Sequence, residues 1–308
     1  MVKFWSFMLS YLNKFIVTIV KLMPKPVVKF FSSRYIAGDY LSDAVNLTKE
    51  LNKRGIYTTI DVLGEAISTR EEAIASKNAC MEVLGAIQAH NLLANLSIKP
   101  TQMGLMLDKE LCYTQVKELL EKATEIRSFV RLDMEDTPTT DRIFDLLKHF
   151  HRDYKNVGVV VQAYLKRTYD DVTELNKLGT NYRLCKGIYI EPERLAIKNR
   201  QKIRENFVKI LHRMLTDGNY VGIATHDDYL VKEAYRLIKE LNVPKDKFEF
   251  QMLLGVKEEL RNRINADGYK VRIYVPFGID WYRYSIRRLQ ENPNMALHIM
   301  KNFFSKRG

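Results

Sequence analysis

From residue 57 onward, short apolar runs alternate regularly with longer stretches of helical periodicity. The runs are Tyr57–Leu63, Asn95–Pro100, Phe129–Met134, Val157–Leu165, Tyr182–Lys186, Tyr220–Thr225, Phe248–Leu253 and Val271–Val275. Their length and their content of β-branched and aromatic residues predict strands. Between them, apolar residues recur at helical spacing, as at Thr69–Ala89, Asp108–Arg127, Thr139–Tyr154 and Pro192–Thr216. A further helix is expected from Ser42 to Arg54, with Gly55 as its stop, and another follows the last strand from Asp280 to Gln290. Eight strands alternating with helices over roughly 240 residues is the pattern of a (β/α)8 barrel, here with extra N-terminal helices. The rival is a doubly wound sheet. No G-x-G-x-x-G follows the first strand and no Walker A motif occurs, so the barrel is the expected fold. It is assigned to residues 39–308, preceded by a separate segment, 1–38.

That segment changes the reading of charge. The chain of 308 residues has a formal net charge of +12, yet no acidic residue precedes Asp39, while Lys3, Lys14, Lys21, Lys25, Lys29 and Arg34 do. Half the excess therefore lies in the first 38 residues, and the body is only mildly basic. This weakens a nucleic-acid reading, and no DNA- or RNA-binding motif supports one. Within 4–23, Phe4, Trp5, Met8, Leu12, Phe15, Ile16, Ile19 and Met23 fall near one helical stripe, interrupted by Asn13 and Lys14. A membrane span and a signal peptide both fit poorly, since polar residues break the run and Met23-Pro24-Lys25-Pro26 follows it. Two readings stay open: a basic amphipathic helix on an anionic membrane surface, or a helix packed on its own protein.

Cys80, Cys112 and Cys185 are far apart and odd in number, which suits a reducing, cytoplasmic compartment. His149 and His151 are spaced to splay onto different helical faces, and no metal centre is expected.

In a (β/α)8 barrel the chemistry sits where the strands end. The strand ends here carry Glu65, Lys99, Asp133 with Glu135, Gln162, Arg183 with Lys186 and Tyr189, Thr225-His226, Gln251 with Leu253, and Tyr274. Arg287, Arg288 and Glu291 follow on the last helix. Each has an ordinary reading, as an ion pair, a cap, a buried imidazole or a solvated helix face. Together they describe a pocket of cations, amides and hydroxyls, with no nucleophile–base triad and no metal cage. Paired guanidiniums suit a small carboxylate, and aromatic walls suit its apolar body.

The segments Arg183-Leu-Cys-Lys186-Gly187-Ile-Tyr189, Val161-Gln162-Ala163-Tyr164, Ala224-Thr225-His226, Phe248-Glu-Phe-Gln251-Met-Leu253 and Tyr274-Val-Pro-Phe-Gly278 with Arg287-Arg288 resemble motifs of proline dehydrogenase. The resemblance runs from about Arg34 to Pro293, and the length resembles the monofunctional bacterial enzymes. It implies an FAD-containing barrel that oxidises L-proline to Δ1-pyrroline-5-carboxylate in proline catabolism and is reoxidised by a membrane quinone. The same scaffold acting on 4-hydroxyproline is the alternative, and a non-catalytic basic membrane- or nucleic-acid-binding protein the remote one. By resemblance, Arg287 and Arg288 clamp the substrate carboxylate. Lys99 also reaches it, held by Glu65, and Asp133 orients the arginine side. Tyr189, Leu253 and Tyr274 wall the ring. Gln162, Arg183, Lys186, Gly187, Thr225, His226 and Glu291 contact FAD, with Arg183 beside the flavin ring.

Two positions depart from the family pattern. Ile188 stands where Ala is usual, and Ile190 where many relatives have an aromatic residue near the flavin. Tyr274 is retained, whereas the related hydroxyproline-oxidising enzymes typically have a small residue there, which favours proline. Under this reading the 4–23 stripe brings the protein to the inner face of the cytoplasmic membrane, where a quinone is found.

Overall fold

The computed structural model describes residues 28–29, 33–64, 67–282 and 284–286. Eight parallel strands close into a barrel in chain order: β1 (Tyr57–Val62), β2 (Ala94–Ile98), β3 (Val130–Leu132), β4 (Val157–Gln162), β5 (Asn181–Cys185), β6 (Val221–Ala224), β7 (Phe248–Leu253) and β8 (Val271–Phe277). Closure joins β8 to β1 from Tyr57↔Arg272 to Val62↔Phe277. Outside lie α1 (Leu41–Asn52), α2 (Arg70–Ala89), α3 (Lys109–Glu125), α4 (Thr140–His151), α5 (Thr168–Leu175), α6 (Arg200–Thr216), α7 (Asp228–Glu240) and α8 (Glu258–Ala266).

The sequence explains why these elements form. β4 reads Val-Gly-Val-Val-Val-Gln and is buried at every position, as a parallel strand covered on both faces must be. In α7 the buried residues Leu230, Val231, Ala234, Leu237 and Ile238 share one stripe, the pattern of a helix laid on a barrel. At the start of α2, the Thr69 side chain accepts from the Glu72 backbone N–H while the Glu72 carboxylate accepts from the Thr69 N–H. This reciprocal cap fixes the helix start.

Some boundaries differ from expectation. The helix expected over Pro192–Thr216 begins only at Arg200. Residues 192–198 are drawn into a bridge with the β4–α5 connection, where Ile197 N–H donates to the Tyr164 carbonyl at 2.7 Å and Lys166 N–H to the Leu195 carbonyl at 2.9 Å. The Asn199 side chain then accepts from Lys202 N–H and starts α6. Of the expected helix 280–290, residues 281–282 and 284–286 are helical, and the rest lies outside the described residues.

Apolar side chains fill the sheath between helices and barrel. The lumen, by contrast, is polar. Asn181 and Arg183, Glu249 and Gln251, and Arg272 and Tyr274 each stand two residues apart on one strand, so each pair faces the same side, and Asp133 follows Arg131 by two residues just past the end of β3. Ahead of α1, Ala37 N–H donates to the Pro276 carbonyl at 2.9 Å and Gly278 N–H to the Gly38 carbonyl at 3.0 Å. Ile36 packs with Leu63 and Tyr284. The connector thus crosses the carboxyl ends of β8 and β1, along one side of the mouth. The 4–23 stripe lies outside the described residues.

Candidate active site

At the carboxyl ends of the strands is a cavity of about 280 Å³ whose lining includes Lys99, Asp133, Gln162, Arg183, Lys186, Gly187, Tyr189, His226, Leu253 and Tyr274. A second cavity of about 620 Å³ adjoins it, sharing Lys186, Gly187, Ile188 and His226, and adds Thr225. Lys99, Asp133, Gln162, Arg183, Lys186, Gly187, Tyr189, Thr225, His226, Leu253 and Tyr274 are therefore gathered at one mouth, while Glu135 lines a separate adjoining cavity. Glu65, Arg287, Arg288 and Glu291 lie outside the described residues.

Arg183 organises the floor. Its Nη1 donates to Asp133 Oδ1 at 2.8 Å and to Ser97 Oγ at 3.3 Å, its Nη2 to Thr59 Oγ1 at 3.4 Å, and its Nε to Gln251 Oε1 at 2.5 Å. The guanidinium carbon is also 5.2 Å from the centre of the Tyr274 ring. One side chain from β5 thus meets β1, β2, β7, β8 and the end of β3, a web only a closed barrel can assemble. Tyr274 donates its hydroxyl to Asp133 Oδ2 at 2.9 Å. Burial and the Asp133 charge push its phenol well above its ordinary value, so it remains a neutral donor.

Lys99 is held by Asp61, while the expected partner Glu65 lies outside the described residues. Its ammonium donates to Asp61 Oδ1 and Oδ2 at 2.7 and 2.9 Å. Burial alone would lower the pKa of Lys99, but the carboxylates of Asp61 and Asp133 outweigh it and leave the pKa raised. For Asp61 burial pushes the carboxyl up, against the opposing pull of Lys99. Asp61 escaped the sequence reading because a lone carboxylate within a strand reads as a surface position. Its place two residues after Thr59, on the lumen side, was the available signal.

The opposite side of the mouth is richer in backbone and amide groups. Gln162 donates to the Glu135 carbonyl at 3.0 Å and accepts from Ile188 N–H at 3.3 Å, tying the β3 and β5 loops together. Gly187 has φ +114°, and a Cβ there would lie 2.0 Å from the Tyr164 ring, so only glycine fits. His226 Nε2 accepts from Leu253 N–H at 2.8 Å, which places the proton of a neutral imidazole on Nδ1. Lys186 pairs with Asp227 at 3.3 Å, and Arg204 grips the same carboxylate at 2.8 and 2.9 Å. Burial works against ionisation of Asp227, but Arg204 and Lys186 hold its pKa down at about 2. Asp227 was a second omission of the sequence reading, although an Asp opening an amphipathic helix is a cap signal.

Ile188 lines both cavities. Ile190 points to solvent at 95% exposure, so it offers the site no stacking surface. His149 packs edge-on against Tyr113 and Phe150. Among the described residues no group of three or more His, Cys, Asp or Glu is placed to hold a metal ion.

The larger cavity is edged by Lys186, Arg200, Arg204 and Lys257 against Asp227 and Asp228, and α7 begins there. This donor-rich surround suits an extended anionic ligand. The smaller cavity, with a cationic floor and an aromatic wall, suits a small acid.

Comparisons with known proteins identify the family. The sequence model of the proline dehydrogenase family matches residues 44–299. The chain is 34% identical to proline dehydrogenase 1 of Bacillus subtilis subsp. natto, over 94% of this chain and 96% of that one. It is 31% identical to the proline dehydrogenase of Deinococcus radiodurans, over 88% and 89%. Among solved structures, proline utilization A (PutA) from Bdellovibrio bacteriovorus, inactivated by N-propargylglycine, superposes with a TM-score of 0.79 at 25% identity. That match covers 86% of this chain and 33% of the longer protein. On the extent of these matches, the chain belongs to the proline dehydrogenase family.

Proposed function

We propose that this chain oxidises L-proline to Δ1-pyrroline-5-carboxylate, with FAD as its bound electron acceptor and a membrane quinone as the final one. The observation that carries the reading is the buried Arg183, held by Asp133 and Gln251 at the floor of the mouth, next to the Lys99–Asp61 pair. The donor-rich surround of the larger cavity supports a dinucleotide. Gln162, Arg183, Lys186, Gly187, Thr225 and His226 are assigned to hold it, together with Glu291 from outside the described residues. When bound, FAD supplies an acceptor for the hydride equivalent released by the ring carbon beside the proline nitrogen.

The chain's own task is to align and to set charge. Arg183 presents a fixed positive charge where negative charge accumulates on reduction. Lys99, kept protonated by Asp61, is assigned to the substrate carboxylate with Arg287 and Arg288. Tyr189, Leu253 and Tyr274 are assigned to the ring. Lys99 and Tyr274 both retain their protons at neutral pH, so neither takes the proton of the substrate amine. No helix among the described residues is long and apolar enough to cross a membrane. Contact with the bilayer is assigned to residues 4–23 and is tested by deleting residues 1–30 and measuring liposome binding.

The deciding experiment is the visible spectrum of the purified protein before and after anaerobic L-proline. Flavin absorbance that bleaches supports the reading. Bleaching by 4-hydroxyproline but not proline moves the substrate to the hydroxylated acid. Absence of flavin after reconstitution with FAD overturns the assignment.

A further inference from the structure

A line of buried polar groups runs from the base of the barrel to Arg183. Arg272 donates to both oxygens of Glu249, at 2.6 and 3.1 Å. Gln251 donates its Nε2 to Glu249 Oε1 at 2.6 Å and accepts the Nε–H of Arg183 on Oε1 at 2.5 Å. All four residues are more than nine-tenths buried.

The donor and acceptor inventory makes this order the only workable one. A guanidinium only donates and a carboxylate only accepts, while an amide does both from opposite ends. Glu249 accepts from the NH₂ end of Gln251, so the oxygen end must face Arg183. The backbone leaves room for it. Gly222 on β6 lies in register with Arg183 on one side and Glu249 on the other. A Cβ at Gly222 would lie 2.4 Å from Gln251 Nε2. A side chain on β6 would therefore occupy the space through which β5 and β7 meet.

We infer that Gln251 is a positioning residue for Arg183, with its amide polarity set by Glu249. The inference rests on the proposed role of Arg183 at the flavin. Asp133, Ser97 and Thr59 take the outer nitrogens of Arg183, and Gln251 takes Nε. With Nε fixed, the guanidinium cannot swing about its last torsions, and its charge stays at one place and angle. Freed from Gln251, it keeps its charge and its Asp133 partner but loses its orientation. The expected loss is therefore in turnover more than in substrate affinity.

The test combines two readouts. In the FAD-free full chain, the Arg183 Nε–H cross-peak in a ¹H–¹⁵N spectrum, assigned by its disappearance in Arg183→Lys, should exchange slowly with solvent. In Gln251→Met it should exchange at least tenfold faster, and Glu249→Gln should shift it. In the FAD-loaded enzyme, Gln251→Met should lower kcat for proline about tenfold or more with KM within about twofold. Adding Gln251→Met to Arg183→Met should cost nothing further. A rapidly exchanging Nε–H in the unaltered protein overturns the inference without requiring any Gln251 or Glu249 variant to fold. Full turnover in Gln251→Met alongside an inactive Arg183→Met overturns it too, while leaving the active-site reading intact. An Arg183→Met enzyme that still turns over proline defeats that reading itself.

Discussion

The two ends of the barrel lumen use the same chemistry to opposite ends. At the base, Glu249 receives Arg272, Lys270 and Gln251. Burial opposes its charge, but Arg272 foremost among these partners holds its pKa down at about 2. At the mouth, Asp61 and Tyr274 are pushed the other way, chiefly by burial, and Lys99 is kept protonated by the carboxylates around it. At the base a carboxylate is surrounded by donors, although Glu249, Lys270 and Arg272 also line a cavity of about 630 Å³. The mouth opens on a cavity that Lys99, Arg183 and Tyr274 line while each is held by a protein partner. Buried ion pairs mark stability or function according to whether something is left for a ligand to satisfy.

The comparison breaks most sharply at Arg183. Arg183→Met should lower kcat/KM for proline by about 10³ or more, since it removes a preorganised charge from a buried site. Steady-state kinetics with an artificial acceptor measures this, and a loss below about tenfold would mean that the charge at the mouth is not what drives the reaction. At the base, Arg272→Met should remove the foremost partner of Glu249. Breaking such a buried pair typically costs about 3–5 kcal/mol. Chemical denaturation should show that loss, and a change below about 1 kcal/mol would make the base as open as the mouth. Tyr274→Ser sharpens the contrast on the substrate side. It should weaken proline and raise the relative preference for 4-hydroxyproline by about tenfold, about the range a single pocket contact supplies. Competition between the two substrates reads this, and an unchanged ratio would remove Tyr274 from the ring wall.

The barrel was legible because its signals are local. β-branched runs such as Val157–Val161 and stripes such as that of α4, with Ile143, Phe144, Leu147 and Phe150 buried, announce themselves within a single window. The site was legible where residues cluster near strand ends, as Arg183, Lys186 and Gly187 do. What stayed hidden depends on closure. Asp61 became the partner of Lys99 only when β1 and β2 lay side by side, and the sequence assigned that role to Glu65, which lies outside the described residues. Gln251 was visible as a strand-end amide, but its partner Arg183 is 68 positions away and its other partner is its own strand's Glu249. The start of α6 at Arg200 was missed for a similar reason. The bridge that holds residues 192–198 out of the helix is made to a loop some thirty positions away, Leu165 pairing with Ala196.

The two ends should also respond to pH with opposite signs. Glu249 has a folded pKa of about 2 against an ordinary 4.5. A depressed carboxylate contributes stability that is complete above its unfolded value and is lost as pH falls through the folded one. Its loss therefore spans the window from about 4.5 down to about 2. Lys99 is raised above its ordinary 10.5. Its contribution is complete below that value and disappears only as pH rises past it. In denaturation curves, Glu249→Gln should flatten the fall in stability on the acid side. Lys99→Met should flatten the alkaline side. An acid limb that keeps its slope in Glu249→Gln would mean that other carboxylates govern acid unfolding, and the base of the lumen would lose its special standing against the mouth.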